Sequence, residues 1–401
     1  MASFDGLDRM NALLSALGNP EADFRAIHIA GTNGKGSTAV MTASILEEAG
    51  FTVGLYTSPH LEIECERVQI WDGTHRMIDQ AHFDELKDRA KAMEPNATVF
   101  EVYTAAAYLY FAEMKPDYVV LETGLGGRLD STNTLKKPLV SVITQVGLDH
   151  TAELGNTIFR IAREKAGIIK PGVPVVSQTP DLNVKNIFRR TAAENGCEFI
   201  DVSLVYDEYR SYELSMKGSH QIRNAATAAE AIRAAGIEVS EEAVRIGLAN
   251  AYLPGRFEVL DEDRAGSGEP FFIIDGAHNP DAAEALAETF TAFTREHKSK
   301  RNFVIFGCMK DKNYTRMIQL LTGNMKGCTY ATAAVDYGRA EDPERLGEVF
   351  AACGRSCIVC ESAAEAYEIS KEGNYGCVLV TGSIYLAGEL RSLYLQDHKS
   401  L

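Results

Sequence analysis

The segment His28-Ile29-Ala30-Gly31-Thr32-Asn33-Gly34-Lys35-Gly36-Ser37-Thr38 decides how this chain is read. A short apolar run, Arg25 to Ala30, leads into it, and a helical pattern from near Ser37 to Gly50 leaves it. Glycines let the backbone turn tightly and aim its N–H groups at an anion. The start of the following helix adds partial positive charge. Asn33, Gly34, Lys35, Gly36 and Ser37 are therefore candidate phosphate-binding residues. Lys35 can reach terminal phosphates, and Ser37 or Thr38 can bind Mg²⁺. The spacing departs from the common GxxxxGK[ST], because Gly36 separates Lys35 from Ser37. A glycine-rich turn without a ligand is the plain alternative, and the strand-loop-helix context weighs against it.

Outward from this loop, apolar runs of strand length alternate with helical segments. Phe51 to Tyr56, Tyr118 to Glu122 and Leu139 to Thr144 read as strands, and Glu101 to Glu113 as a helix. The pattern restarts with strands at Phe271 to Asp275, Asn302 to Phe306, Ser356 to Cys360 and Cys377 to Thr381. Helices fit at Asp281 to Glu296, Asn313 to Leu321 and Pro343 to Ala351. Such alternation implies α/β architecture, a parallel sheet with helices on both faces. The polar, glycine-bearing stretch Asp261 to Pro270 reads as a linker, which divides the chain into domains at 1–260 and 261–401.

Composition narrows the function. The 401 residues are 45% apolar and 24% charged, as in ordinary globular proteins. No run of 18 apolar residues occurs, so no membrane helix is expected. The net charge of −16 argues against nucleic acid and membrane surfaces as partners. An anionic substrate then needs a local cationic site. The eight cysteines read as reduced thiols. With no charged-then-apolar leader after Met1, a cytoplasmic address is expected.

Three polar groups follow strands: Ser58, Glu122 and His150. In an open parallel sheet the carboxyl ends of strands share one edge, where ligands bind. Hydroxyl, carboxylate and imidazole suit a Mg²⁺ that keeps waters and touches phosphates. Taken alone, His150 also reads as a satisfied core histidine, and Glu122 as a strand-end ion-pair partner. Lys165 sits among Ile161, Ala162, Ala166 and Ile168. Burial lowers a lysine pKa, and a neutral amine can react with CO₂ to give a carbamate. The ordinary reading is a helix lysine paired with Glu164 or Asp149.

Gly31-Thr-Asn-Gly-Lys-Gly-Ser37 resembles the nucleotide loop of the Mur ligase superfamily, which makes amide bonds from a carboxylate, an amine and ATP. Tyr56-Thr-Ser-Pro-His-Leu61, Glu66-Arg-Val68, Leu121 to Asn133, Leu148-Asp-His150, Glu164 to Ile168, Leu253-Pro-Gly-Arg256 and Asp275 to Pro280 follow in order. Together they resemble the folylpolyglutamate synthase and dihydrofolate synthase family, over about Gly6 to Leu390. The resemblance implies an N-terminal P-loop NTPase-like domain with a mostly parallel sheet, and a C-terminal Rossmann-like doubly wound domain. It implies magnesium at Ser58, Glu122 and His150, and a second Mg²⁺ on a carbamylated Lys165. It also implies nucleotide contacts from Asn224, Arg256 and Asp275, and catalytic roles for Lys35, His150 and Lys165.

For the pterin acid, the resemblance points to Arg9 in Asp5 to Arg9, to Phe100 and Glu101, and to Arg128, Leu129 and Asp130. Phe100 fits stacking on a flat heterocycle and equally a core position at a helix start. Asn279 fits a nucleotide contact and equally an N-cap before Pro280. The implied reaction joins L-glutamate to dihydropteroate, a reduced folate or both, with ATP consumed, in a monomer. A ligase for UDP-muramyl acceptors and a nucleotide-binding module without catalysis are the rival readings. Cys353-x₃-Cys357-x₂-Cys360 has iron–sulfur spacing. The strand pattern around it favours core thiols.

Overall fold

The computed structural model describes residues 6–260 and 270–398. Asp5 and residues 261–269 of the expected linker lie outside the described residues. The chain divides into two compact units, Met1–Ser215 with Gln221–Tyr252, and Met216–His220 with Leu253–Leu401.

Among the described residues, the first unit is built on eight strands: β1 (Ala26–Ala30), β2 (Val53–Tyr56), β3 (Val68–Trp71), β4 (His75–Met77), β5 (Tyr118–Glu122), β6 (Val140–Ile143), β7 (Val175–Ser177) and β8 (Phe199–Asp201). Their order is β4-β3-β2-β5-β1-β6-β7-β8. The β2, β5, β1, β6, β7 and β8 strands pair in parallel, and β3 and β4 add an antiparallel edge. Every residue of β1, β5 and β6 is buried, which explains their unbroken apolar runs. The expected α/β class and these strands are borne out. The β3–β4 hairpin is not legible beforehand, because β4 is three exposed residues.

β1 lies between β5 and β6, with Ile29 opposite Glu122 and Ala30 opposite Ile143. The loop after β1 therefore emerges beside the carboxyl ends of both neighbours. The next helix runs Lys35–Glu48 and starts ahead of the expected Ser37. It starts there because Gly34, left-handed at φ +86°, closes the loop. The helix Val99–Met114 opens with a reciprocal cap. Thr98 Oγ1 accepts from the Glu101 N–H at 3.2 Å, and Glu101 Oε2 accepts from the Thr98 N–H at 2.7 Å.

The second unit carries β9 (Glu258–Leu260), β10 (Phe271–Ile274), β11 (Asn302–Phe306), β12 (Cys328–Ala333), β13 (Cys357–Cys360) and β14 (Cys377–Thr381). Their order is β13-β12-β11-β14-β10-β9, parallel except for β9. β9 joins this sheet although it precedes the boundary expected at 260/261, because its pairing with β10 outweighs the polar stretch that separates them in sequence.

β13 is an edge strand with Ile358 and Val359 exposed, where a buried strand was expected. Its Cys357 and Cys360 fall on opposite faces of the strand. Burial pushes both thiols up to about 11, so they stay protonated. No cysteine of the chain forms a disulfide. Among the described residues, no helix is long and apolar enough to cross a membrane.

The phosphate-loop helix is held by the helix Glu241–Asn250. Ser44 Oγ donates to the Gly247 carbonyl at 2.7 Å. A Cβ on Gly247 would stand 2.6 Å from the Ile45 Cα. Gly247→Val should therefore destabilise the protein by about 1–3 kcal/mol through overpacking. Chemical denaturation checks this, and an unchanged midpoint would refute the close approach.

Candidate nucleotide and metal site

The phosphate loop is fastened to the end of β6. The Thr32 N–H donates to the Gln145 carbonyl at 2.7 Å, and the Asn33 N–H to the same carbonyl at 3.3 Å. Thr144 Oγ1 donates to the Asn33 carbonyl at 2.8 Å. Gly31 has no alternative, since its Cβ would sit 1.7 Å from Thr144 Oγ1.

Two lysines meet this loop. Lys35 Nζ donates to the Thr32 carbonyl at 3.2 Å and lies 3.8 Å from Glu122 Oε1. Lys165 Nζ donates to the Gly31 carbonyl at 2.7 Å. Lys165 occupies the buried face of the helix Ile158–Ala166, with Ile161 and Ala162 one turn before it. It is 2% exposed. Burial, and next the nearby Lys35 charge, lower its pKa from 10.5 to about 7, while Asp149 and Asp130 oppose the shift. Of the two partners expected from sequence, Asp149 acts on it electrostatically. Glu164 instead pairs with Arg128, Nη2 to Oε1 at 2.9 Å.

Glu122 ends β5 and is buried; its Oε2 accepts from the Ser58 N–H at 3.0 Å. Glu122, Ser58, Lys35 and the phosphate loop thus come together. His150 is exposed and left-handed at φ +49°, and its N–H donates to Asp149 Oδ1 at 2.8 Å. Among the described residues, no three His, Cys, Asp or Glu side chains stand close enough to hold a metal by themselves. The donors present are oxygen-rich and incomplete without phosphate and water, which fits Mg²⁺. The Thr38 hydroxyl at the head of the helix is buried without a hydrogen-bond partner.

The expected pterin residues divide. Arg9 Nε bonds both Glu101 oxygens, at 3.1 and 2.9 Å. Phe100 is half-buried against the core beside Tyr56 and touches the Gly124 backbone closely, since a Cβ there would lie 2.3 Å from its ring. Asp130 is buried, accepting from the Leu125 N–H at 2.7 Å and from the Thr132 N–H at 3.0 Å. Leu129 is half-buried and Arg128 exposed. Burial raises the Asp130 pKa, and these bonds oppose it.

In the second unit, Asp275 Oδ2 accepts from the Phe257 N–H and Oδ1 from the Ala277 N–H, both at 2.8 Å. The aspartate is half-buried; desolvation raises its pKa, and the adjacent Arg256 charge lowers it. Arg256 Nη1 donates to the Gly255 carbonyl at 3.1 Å. Asn279 caps the helix Pro280–Glu296, its Oδ1 accepting from the Ala282 N–H at 3.0 Å.

Sequence reasoning missed a run of buried amides beside the loop. Gln178 and Asn224 meet at 2.9 Å, and Asn224 and Gln221 at 2.8 Å. Gln221 approaches Ser37 Oγ at 3.5 Å. Gln221 lies on the helix His220–Ala234, one turn before the expected Asn224, whereas Gln178 follows β7 with no motif to signal it. His28 was missed too. Its Nε2 lies 2.8 Å from Thr132 Oγ1, and burial pushes its pKa down to about 3.

A glycine loop on a parallel sheet, two lysines and a buried carboxylate define a nucleotide-using α/β enzyme. The Mur ligase middle domain matches residues 29–204, and the Mur ligase, glutamate ligase domain matches residues 255–384. The chain is 37% identical to the dihydrofolate synthase/folylpolyglutamate synthase of Bacillus subtilis, across 96% of this chain and 94% of the relative. It is 35% identical to the Escherichia coli protein of that name, across 77% and 73%. The solved E. coli FolC in complex with DHPP and ADP superposes with a TM-score of 0.84 at 30% identity, covering 99% and 94% of the two chains. A Yersinia pestis bifunctional enzyme complexed with AMPPNP and a Mn ion gives 0.85 at 28%, covering 97% and 93%. The chain belongs to the dihydrofolate synthase/folylpolyglutamate synthase family of Mur ligases, ATP-dependent enzymes that form carbon–nitrogen bonds. This favours the folate reading over a UDP-muramyl ligase or a non-catalytic module.

The Lys165 shift has a testable sign. The unfolded chain keeps this proton up to about 10.5, whereas the fold releases it near 7. Between those values the unfolded state binds more protons, so this group's contribution to stability rises with pH. The melting temperature of the ligand-free protein, relative to Lys165→Met, should climb as pH goes from 7 to 10. A constant difference would show that Lys165 stays charged in the fold.

Proposed function

We propose that the chain joins L-glutamate to a pterin acid, dihydropteroate or a reduced folate or both, through an acyl phosphate. The Lys35–Glu122–Lys165 cluster around the phosphate loop carries this reading. It supplies local positive charge and a buried carboxylate in a chain of net charge −16.

A carboxylate oxygen of the pterin acid attacks the γ-phosphorus of ATP, and ADP leaves. The glutamate amine then attacks the acyl carbon. The tetrahedral intermediate expels phosphate, and the amine proton passes to water. Asn33, Gly34, Gly36 and Ser37 present the loop to the phosphates, and the Lys35 ammonium neutralises the transferring group. Catalysis is then positioning and electrostatics, and no protein nucleophile is needed.

Ser58, Glu122 and His150 would hold one Mg²⁺ and Lys165 a second, each supplying charge neutralisation on phosphate oxygens when bound. A pKa near 7 leaves much of the Lys165 amine neutral and open to CO₂. Its carbamate would retain one N–H for the Gly31 carbonyl. Asn224, Arg256 and Asp275 would serve the nucleotide.

Arg9, Phe100, Leu129, Arg128 and Asp130 would serve the pterin acid. The Glu101 carboxylate, committed to Thr98 and Arg9, would act by fixing Arg9. A monomer in the cytoplasm completes the reading, supported by eight free thiols.

ADP release with Mg-ATP should require both glutamate and a pterin acid. Dihydropteroate and tetrahydrofolate in separate reactions tell the two activities apart. Lys35→Ala should lose at least about 100-fold in kcat/KM with little change in melting temperature. Release without either acceptor, or full activity of that variant, would overturn the assignment.

A further inference from the structure

The amides of Gln178, Asn224 and Gln221 are each at most 4% exposed and reach Ser37, itself buried. Buried amides in a continuous run are costly unless every group is satisfied. The oxygen and nitrogen of an amide are assigned from their partners. Here the partners at one end have fixed polarity. One amide atom of Gln178 faces the Gln145 N–H at 3.2 Å, and the other faces the Arg223 carbonyl at 3.2 Å. The first must be oxygen and the second NH₂.

That choice propagates along the run. The Gln178 oxygen also faces the Asn224 amide at 2.9 Å, which must present its NH₂ there. The Asn224 oxygen then faces Gln221 at 2.8 Å and takes a proton from its NH₂. The Gln221 oxygen is left toward Ser37 Oγ at 3.5 Å, the longest contact of the run. Ser37 is thereby the donor, and its lone pairs are free for a cation. Gly34 is part of the same packing, since a Cβ on it would lie 2.5 Å from the Asn224 side chain and 3.2 Å from Gln178.

We propose that Gln178 is a positioning residue that, through Asn224 and Gln221, orients the Ser37 hydroxyl so that its oxygen faces the nucleotide-bound magnesium ion. Gln178 touches neither ion nor nucleotide in this scheme. It takes its direction from the Gln145 N–H, the residue whose carbonyl also fastens the phosphate loop. The proposal rests on the nucleotide reading of that loop.

Calorimetry of ADP binding to the full chain, with and without Mg²⁺, tests it. In the wild type, Mg²⁺ should tighten ADP binding. Gln178→Met should lose about tenfold of that tightening, the upper range for one neutral hydrogen bond, while Mg²⁺-free ADP binding stays nearly unchanged. Equal weakening with and without Mg²⁺ would mark a merely structural residue and overturn the proposal, as would an unchanged Mg²⁺ increment. If Gln178→Met does not fold, Gln221→Met cuts the same run at its last amide and should lose the same increment; an unchanged increment would overturn the proposal. A wild type that binds no ADP refutes the nucleotide reading itself, and the proposal with it.

Discussion

The close approach of Gly31 to Thr144 is the contact on which the rest of the site depends. It brings the end of β1 against the end of β6 and leaves no room for any side chain. The loop then bonds to the Gln145 and Gly147 carbonyls, so it is held on its β6 side before any ligand arrives. Gly34 closes the other end in a conformation that favours glycine, under the Asn224 amide. A loop fixed in this way spends little ordering entropy on binding phosphate.

Charge follows from the same arrangement. Parallel pairing sets β5 beside β1 and puts Glu122 level with Ile29. Lys35, the first residue of its helix, lies within reach of that carboxylate. Lys165 comes from another helix and meets the loop at the Gly31 carbonyl. Burial weighs most on Lys165, and the nearby Lys35 charge further disfavours its ammonium form. An acidic protein thereby keeps a small cationic site whose second amine is neutral much of the time near pH 7.

The fold was legible where its signals were local. β1, β5 and β6 are buried on both faces and read as unbroken apolar runs. The strand-end positions of the phosphate loop and Glu122 were readable from the apolar runs before them, and the burial of Lys165 from the apolar residues around it. The β3–β4 hairpin was not readable, since β3 is only four residues long and β4 is three exposed residues with no hydrophobic period. β13 was misread as buried because Ile358 and Val359 are apolar yet lie on a sheet edge. Glu101 was read for a substrate, and its spacing from Thr98 is that of a helix cap. Gln178 and His28 were invisible, because their roles come from partners distant in sequence.

At the phosphate loop, ATP activates a carboxylate by phosphorylating it. The most direct measurement uses a pterin acid labelled with ¹⁸O in the reacting carboxylate, with mass spectrometry of the phosphate released during glutamate addition. Each phosphate should carry one labelled oxygen, because the bridging oxygen of the acyl phosphate leaves with phosphorus. Unlabelled phosphate alongside normal amide formation would contradict it.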